Sequence, residues 1–190
     1  MNASIINLEN RLRSYLDTGE ELIWAGQPKQ GITFGWADIF LIPFSMLWSG
    51  MVFFALFSVS RSNTPIAVYF FLIPFVLVGI YILIGRFIFD AESRKRTIYG
   101  ITNERIIIIS GVFRISIQSF SISTLSNISI TEKSDRSGTI LLGNEMWFMG
   151  MLRGSGWPMA NTRMAPAIEM IPNAMAVYKQ IVALKKEGKS

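Results

Sequence analysis

Two long stretches of this chain carry no charge, residues 39–59 and 65–85, each 21 residues long and separated only by residues 60–64. The hydrocarbon core of a bilayer is ~30 Å thick, and ~20 apolar helical residues cross it. Inside lipid the backbone must satisfy its own hydrogen bonds, which a helix does. So short a link makes two such helices antiparallel. The pattern therefore predicts a transmembrane helical hairpin with both flanking segments on one side of the membrane. A pair of buried helices in a soluble core fits less well, because such helices seldom exceed about 14 apolar residues without a polar face. Ser45, Trp48 and Ser49 are the nearest approach to one.

The remaining residues suffice for one soluble domain of ordinary size, predicted to consist of residues 1–38 and 86–190. Net charge is +5, and the basic residues lie unevenly about the spans. Lys29 precedes the first span, and Arg86, Arg94, Lys95, Arg96 and Arg105 follow the second, against Arg61 alone in the connecting loop. Cytoplasmic flanks carry the lysine and arginine excess, so both termini are expected in the cytoplasm. Residues 1–30 hold Glu9, Arg11, Arg13, Asp17, Glu20 and Glu21 and lack the apolar core of a signal peptide.

Cysteine and histidine are both absent from the sequence. Disulfides, thiolate metal sites and the commonest general base are thereby excluded, and neither a metal nor another cofactor is expected. Gly150–Met–Leu–Arg–Gly154–Ser–Gly156 has the glycines of a phosphate loop without its lysine and hydroxyl residue. No acid–base constellation appears, so the chain is read as non-enzymatic, with no small-molecule substrate. The arginines cluster at the membrane edge without a stacked-aromatic motif, which argues against nucleic acid as a partner.

Along the chain, Leu8, Leu12, Tyr15 and Leu16 recur at helical spacing, predicting a short helix over 6–17 that stops near Gly19; such a stripe either docks on the soluble domain, its commoner use, or lies on lipid. A strand is expected at 21–25. Pro74 predicts a kink in the second span. Ser45, Ser49 and Gly50 are expected at the level of Gly79, where small residues let helices approach. Arg86, Asp90 and Arg94 would form one stripe on a helix leaving the membrane. From Thr97 onward, short β-rich runs at 97–101, 105–110, 115–122, 125–130 and 139–142 signal an antiparallel meander. A closing helix is expected over 172–186, with Pro172 as its first residue and Met175, Tyr178 and Val182 as its packing face.

This element order resembles that of the bacterial pleckstrin-homology-like membrane proteins. Gly19–Glu20–Glu21–Leu22–Ile23–Trp24–Ala25–Gly26–Gln27–Pro28 is similar to the family's opening. Arg86–Phe87, Asp90–Ala91, Arg94–Lys95, Thr97, Tyr99, Thr102–Asn103 and Arg105 are similar to its signature after the second span. Gly138–Thr139–Ile140 and the segment through Glu169, Ile171–Pro172, Ala174 and Val177–Tyr178 also fit. The resemblance implies an α+β membrane protein of the inner membrane. Its soluble part would be two antiparallel sheets of seven strands in all, a sandwich or barrel capped by the C-terminal helix. Six strands are legible, and the seventh is expected within residues 150–171.

Three functions fit these readings: a membrane-anchored module that scaffolds partners or self-assembles, a sensor of anionic lipid, or an accessory subunit of a transporter or enzyme complex. Membrane lipids and a protein partner or second copy are the expected partners. Arg86, Arg94, Lys95 and Arg96 are the candidate headgroup contacts. Met146, Trp147, Phe148, Met149 and Trp157, large apolar residues without periodicity, are the candidate interface.

Overall fold

Four consecutive isoleucines, Ile106 to Ile109, are all buried, so the strand carrying them must be covered on both faces. In the computed structural model, which describes residues 3–35, 37–145 and 165–188, this is β3 (Arg105–Ser110). It sits inside a four-stranded antiparallel sheet ordered β1 (Leu22–Gly26), β2 (Ile98–Thr102), β3, β4 (Ser116–Ser121). A second antiparallel sheet orders β5 (Ser129–Glu132), β6 (Gly138–Leu141) and β7 (Ala167–Ile171). Among the described residues no strand pairing joins the two sheets, and neither closes into a barrel.

The described chain divides into two units. Residues 3–31, 92–145 and 165–188 form the β unit, and residues 32–35 and 37–91 form the helical unit. In the β unit, Ile106 and Ile108 face a core shared with Tyr99 and Ile101 of β2, Ile140 of β6, and Ile168 and Ile171 of β7. Ile107 and Ile109 face the other way, where Leu8 and Leu12 of α1 (Ala3–Arg13) cover them. Helix α1 thus docks on the sheet, as its stripe predicts, but it ends at Arg13 rather than Asp17. Gly19, at φ 90°, lies in the turn beyond it.

Strand β1 pairs with β2 from Leu22↔Thr102 to Gly26↔Tyr99, across the whole helical insertion. The expected seventh strand is β7. The closing helix, α5 (Ala174–Glu187), begins two residues later than Pro172 predicts, because Asn173 adopts a left-handed conformation, φ 50°, just before it. Its packing face is also shifted by one residue. Ala174, Val177 and Ile181 are buried, whereas Met175 is exposed and Tyr178 and Val182 only half-buried.

In the helical unit, α2 (Asp38–Ser60) and a 30-residue helix, Ile66–Lys95, are both long and apolar enough to cross a membrane. The second comprises α3 (Ile66–Ile80), a π-helical turn at Tyr81–Gly85, and α4 (Arg86–Lys95). Helix α3 stays helical through Pro74, and the departure from α geometry comes after it, at the π turn. Gly79 lies against Trp48 and Ser49: a Cβ there would stand 3.4 Å from the indole, in ordinary van der Waals contact, so a small residue marks the place where the two helices pass closely. Gly50, expected at the same contact, faces open space. The Trp48 indole N–H donates to the Phe75 carbonyl at 3.2 Å, and the two rings stack at 6.0 Å.

Candidate functional site

The four basic residues singled out by the sequence occupy three different environments. Arg86 is only 2% exposed. Its guanidinium pairs with Asp38 in the first turn of α2, its Nε donates to the Ile82 carbonyl at 2.9 Å, and it lies 4.2 Å from the centre of the Phe87 ring. Asp38 also accepts from the Gly35 N–H. Its place at a helix N-terminus favours the negative charge. The pair therefore fastens the open end of the α2–α3 hairpin, the end away from the 60–64 link. Asp38 lies 48 residues from Arg86, beyond the reach of any helical spacing rule.

Arg94 is 5% exposed, inside the β unit. Its Nη2 donates to the Gly31 carbonyl at 2.6 Å, and its Nη1 lies 3.5 Å from the Met170 sulfur. Gln30 and Gln27 reach back to the Arg94 and Lys95 carbonyls, each at 3.4 Å. Arg94 thus holds the segment after β1 against the last turn of α4.

Lys95 and Arg96 present charge to solvent. Glu92 accepts from Arg96 at 2.8 Å and lies 3.6 Å from Lys95. The Arg96 guanidinium holds the Glu92 carboxyl below the usual carboxylate range. The Glu92 contact is made by Arg96 Nε, and Arg96 Nη1 donates to the Val112 carbonyl at 3.0 Å, in the turn between β3 and β4. Met146, Trp147, Phe148, Met149 and Trp157 lie outside the described residues.

One network escaped the sequence reading as a site. Glu20 accepts from Arg105 through both carboxylate oxygens, at 2.9 and 2.8 Å, and from the Thr102 hydroxyl at 2.7 Å. The Asp17 N–H donates to it as well, at 2.9 Å. Arg105 also pairs with Asp17 at 2.8 Å and donates to the Tyr15 carbonyl. Asn103 accepts from the Glu21 N–H at 3.0 Å. The Arg105 hydrogen bonds, opposed by burial, bring the Glu20 carboxyl down to about 2. Glu20, Glu21, Thr102, Asn103 and Arg105 thus form a corner joining the start of β1 to the β2–β3 turn. Nothing in it resembles an acid–base pair poised for chemistry, since a carboxylate so strongly held ionised is a poor proton carrier near neutrality.

Comparisons with protein-family models, with curated proteins and with solved structures find no match for this chain.

Proposed function

We propose that this chain is a non-enzymatic, membrane-anchored interaction module, a pleckstrin-homology-like domain that scaffolds partners or self-assembles at the cytoplasmic face of the inner membrane. The observation that carries the reading is the pairing of β1 with β2 across two helices long enough to span a bilayer. The chain leaves one strand, runs through both helices, and returns to the neighbouring strand. A domain inserted in this way is tethered twice, so it works where the membrane is. Four strands, three strands and a closing helix support the pleckstrin-homology-like resemblance. The basic residues beside the spans support cytoplasmic termini.

Extraction of the full chain in mild detergent, followed by mass measurement of the native particle, tests the function. A particle heavier than one 21.4 kDa chain with its detergent is expected. A second copy indicates self-assembly, another protein indicates a scaffold or an accessory subunit, and a lone chain overturns the reading. Topology is tested separately in the cysteine-free chain. A cysteine replacing Ser62 should react with an impermeant thiol reagent in intact cells, and one replacing Ser190 should not. The exposed charges of Lys95 and Arg96 favour a second reading, recognition of anionic lipid, which predicts contact that weakens steeply with salt.

A further inference from the structure

The three most exposed large apolar residues described in the β unit stand at alternate positions on one short segment. Ile117 is 49% exposed, Ile115 72% and Phe113 89%, so exposure rises from β4 into the β3–β4 turn. Register explains Ile117. It lies opposite Ile109, on the sheet face that α1 covers, but on the edge strand.

The turn is built to a fixed shape. Gly111 sits at φ 131°, where a Cβ would fall 1.8 Å from the Arg114 carbonyl oxygen, so only glycine closes it. The Arg96 hydrogen bond to Val112 ties the same turn to the residue just past α4. Helix α4 is the last stretch of the helix that contains the second candidate span. An apolar tip that carries the exposed Arg114 is therefore bonded to Arg96, which also pairs with Glu92 and is followed back along the chain by the exposed Lys95.

We propose that the Phe113–Arg114–Ile115 tip dips into an anionic membrane surface, with Phe113 and Ile115 among the upper acyl chains and the neighbouring cations at the phosphates. This rests on the reading that the helices cross the bilayer. Two observations favour lipid over protein as the occupant. Aromatic and aliphatic side chains next to arginine suit the headgroup–acyl boundary. Three side chains also fall far short of the ~800 Å² that each partner contributes to an ordinary stable protein interface. A membrane contact needs no such area, because the spans already hold the tip at high effective concentration.

The absence of cysteine allows a direct test in the full chain. Single cysteines replace Phe113, the exposed Ser134 of the β5–β6 turn, and the exposed Leu77 of α3. Each is spin-labelled in vesicles of phosphatidylcholine and phosphatidylglycerol. Collision with a water-soluble nickel chelate and with oxygen, which concentrates in lipid, is then measured. The label at 113 is expected to meet nickel several-fold less than the label at 134, and to meet oxygen nearly as often as the label at 77. Nickel access at 113 equal to that at 134 overturns the proposal. Low access to both reagents indicates a protein contact and also overturns it. A carbonate wash that strips the chain from the vesicles, with the label at 77 open to nickel, overturns the spanning reading and the tip proposal together. A retained chain with a wetted tip overturns the tip alone.

Discussion

The two units treat apolar side chains in opposite ways. In the β unit, Ile98, Ile101, Ile106, Ile140, Ile168 and Ile181 are essentially inaccessible. In the helical unit, Phe40, Leu47, Phe53, Phe54, Phe70 and Phe71 point outward, while Ser45 and Gly79 are buried between neighbours. A soluble surface rarely carries so large a contiguous apolar patch. Hydrophobicity alone therefore does not say which side of an element is inside. The β unit is organised by expulsion from water. The helices are held together by close approach of small residues, a Trp48–Phe75 contact and a buried ion pair, the means that would remain in a bilayer, where the surroundings are as apolar as the side chains.

The sharpest way to break this contrast is to place a polar group on each side of it. Ile181→Asp buries a carboxylate in the core beneath α5, at a cost of several kcal/mol, comparable to the whole stability of a domain. The full chain in detergent should lose its cooperative thermal transition and the protease resistance of the β unit. Leu47→Asn, on the outer surface of α2, should leave that transition in place and reduce retention in the membrane. Equal effects of the two substitutions on the β unit would erase the distinction.

Next in size is the Asp38–Arg86 pair. Removing one partner of a buried pair leaves the other charge unpaired, typically at about 3–5 kcal/mol. Asp38→Asn should lower the denaturation midpoint of the helices in an SDS titration followed by circular dichroism. The double variant Asp38→Asn with Arg86→Met should recover much of the loss. A single variant that behaves like the native chain would mean the pair does not hold the hairpin.

How far these features can be read from sequence differs by region. Uncharged runs of spanning length locate α2 and α3 because no single tertiary contact can override them. The isoleucines of β3 are legible as a buried strand for the same reason. The break in alternation between Ile117 and Phe120 is also meaningful: it puts Ile117 on the α1 face and Phe120 against the main core. The face of α5 is ambiguous in sequence because two stripes one residue apart, Met175–Tyr178–Val182 and Ala174–Val177–Ile181, both keep helical spacing. Packing selects the one with Ala174, whose small side chain sits fully buried at the start of the helix. Arg86 and Arg94 sit in a basic cluster that suggests lipid, yet both are buried, with partners that only the fold brings near. Lys95 and Arg96 lie beyond those partners and stay exposed. Glu20 and Arg105, 85 residues apart, meet only because β1 pairs with β2.

That last pair gives a pH dependence. The Glu20 carboxyl is lowered from 4.5 to about 2 in the folded chain, chiefly by its hydrogen bonds from Arg105. The folded state thus binds this proton less readily than the unfolded state. Its contribution, roughly 3 kcal/mol from the size of the shift, is complete above pH 4.5 and disappears as pH falls through about 2. Glu20→Gln should destabilise the β unit at neutral pH, and the difference from the native chain should shrink steadily below pH 4.5. A difference that stays constant with pH would show that Glu20 acts through shape alone.

The smallest effect is expected where an ion pair has equally good geometry but no shelter. Lys29 donates to Asp135 at 2.8 Å, as short as the Arg105–Glu20 contact, and with the Ser137 hydroxyl and N–H it holds the Asp135 carboxyl well below the usual range. The surroundings differ: the Lys29 and Asp135 side chains are 56% and 47% exposed, whereas that of Glu20 is 1% exposed. Water and salt screen the exposed charges, and ordering two long side chains offsets most of what remains. Lys29→Met should therefore leave the thermal midpoint of the β unit unchanged within error, and added salt should not separate the variant from the native chain. A drop matching that of Glu20→Gln would show that bond length rather than burial sets the strength of these pairs. The Lys29 backbone N–H, which donates to the Met170 carbonyl at 2.8 Å, is untouched by the substitution, so the comparison isolates the charge.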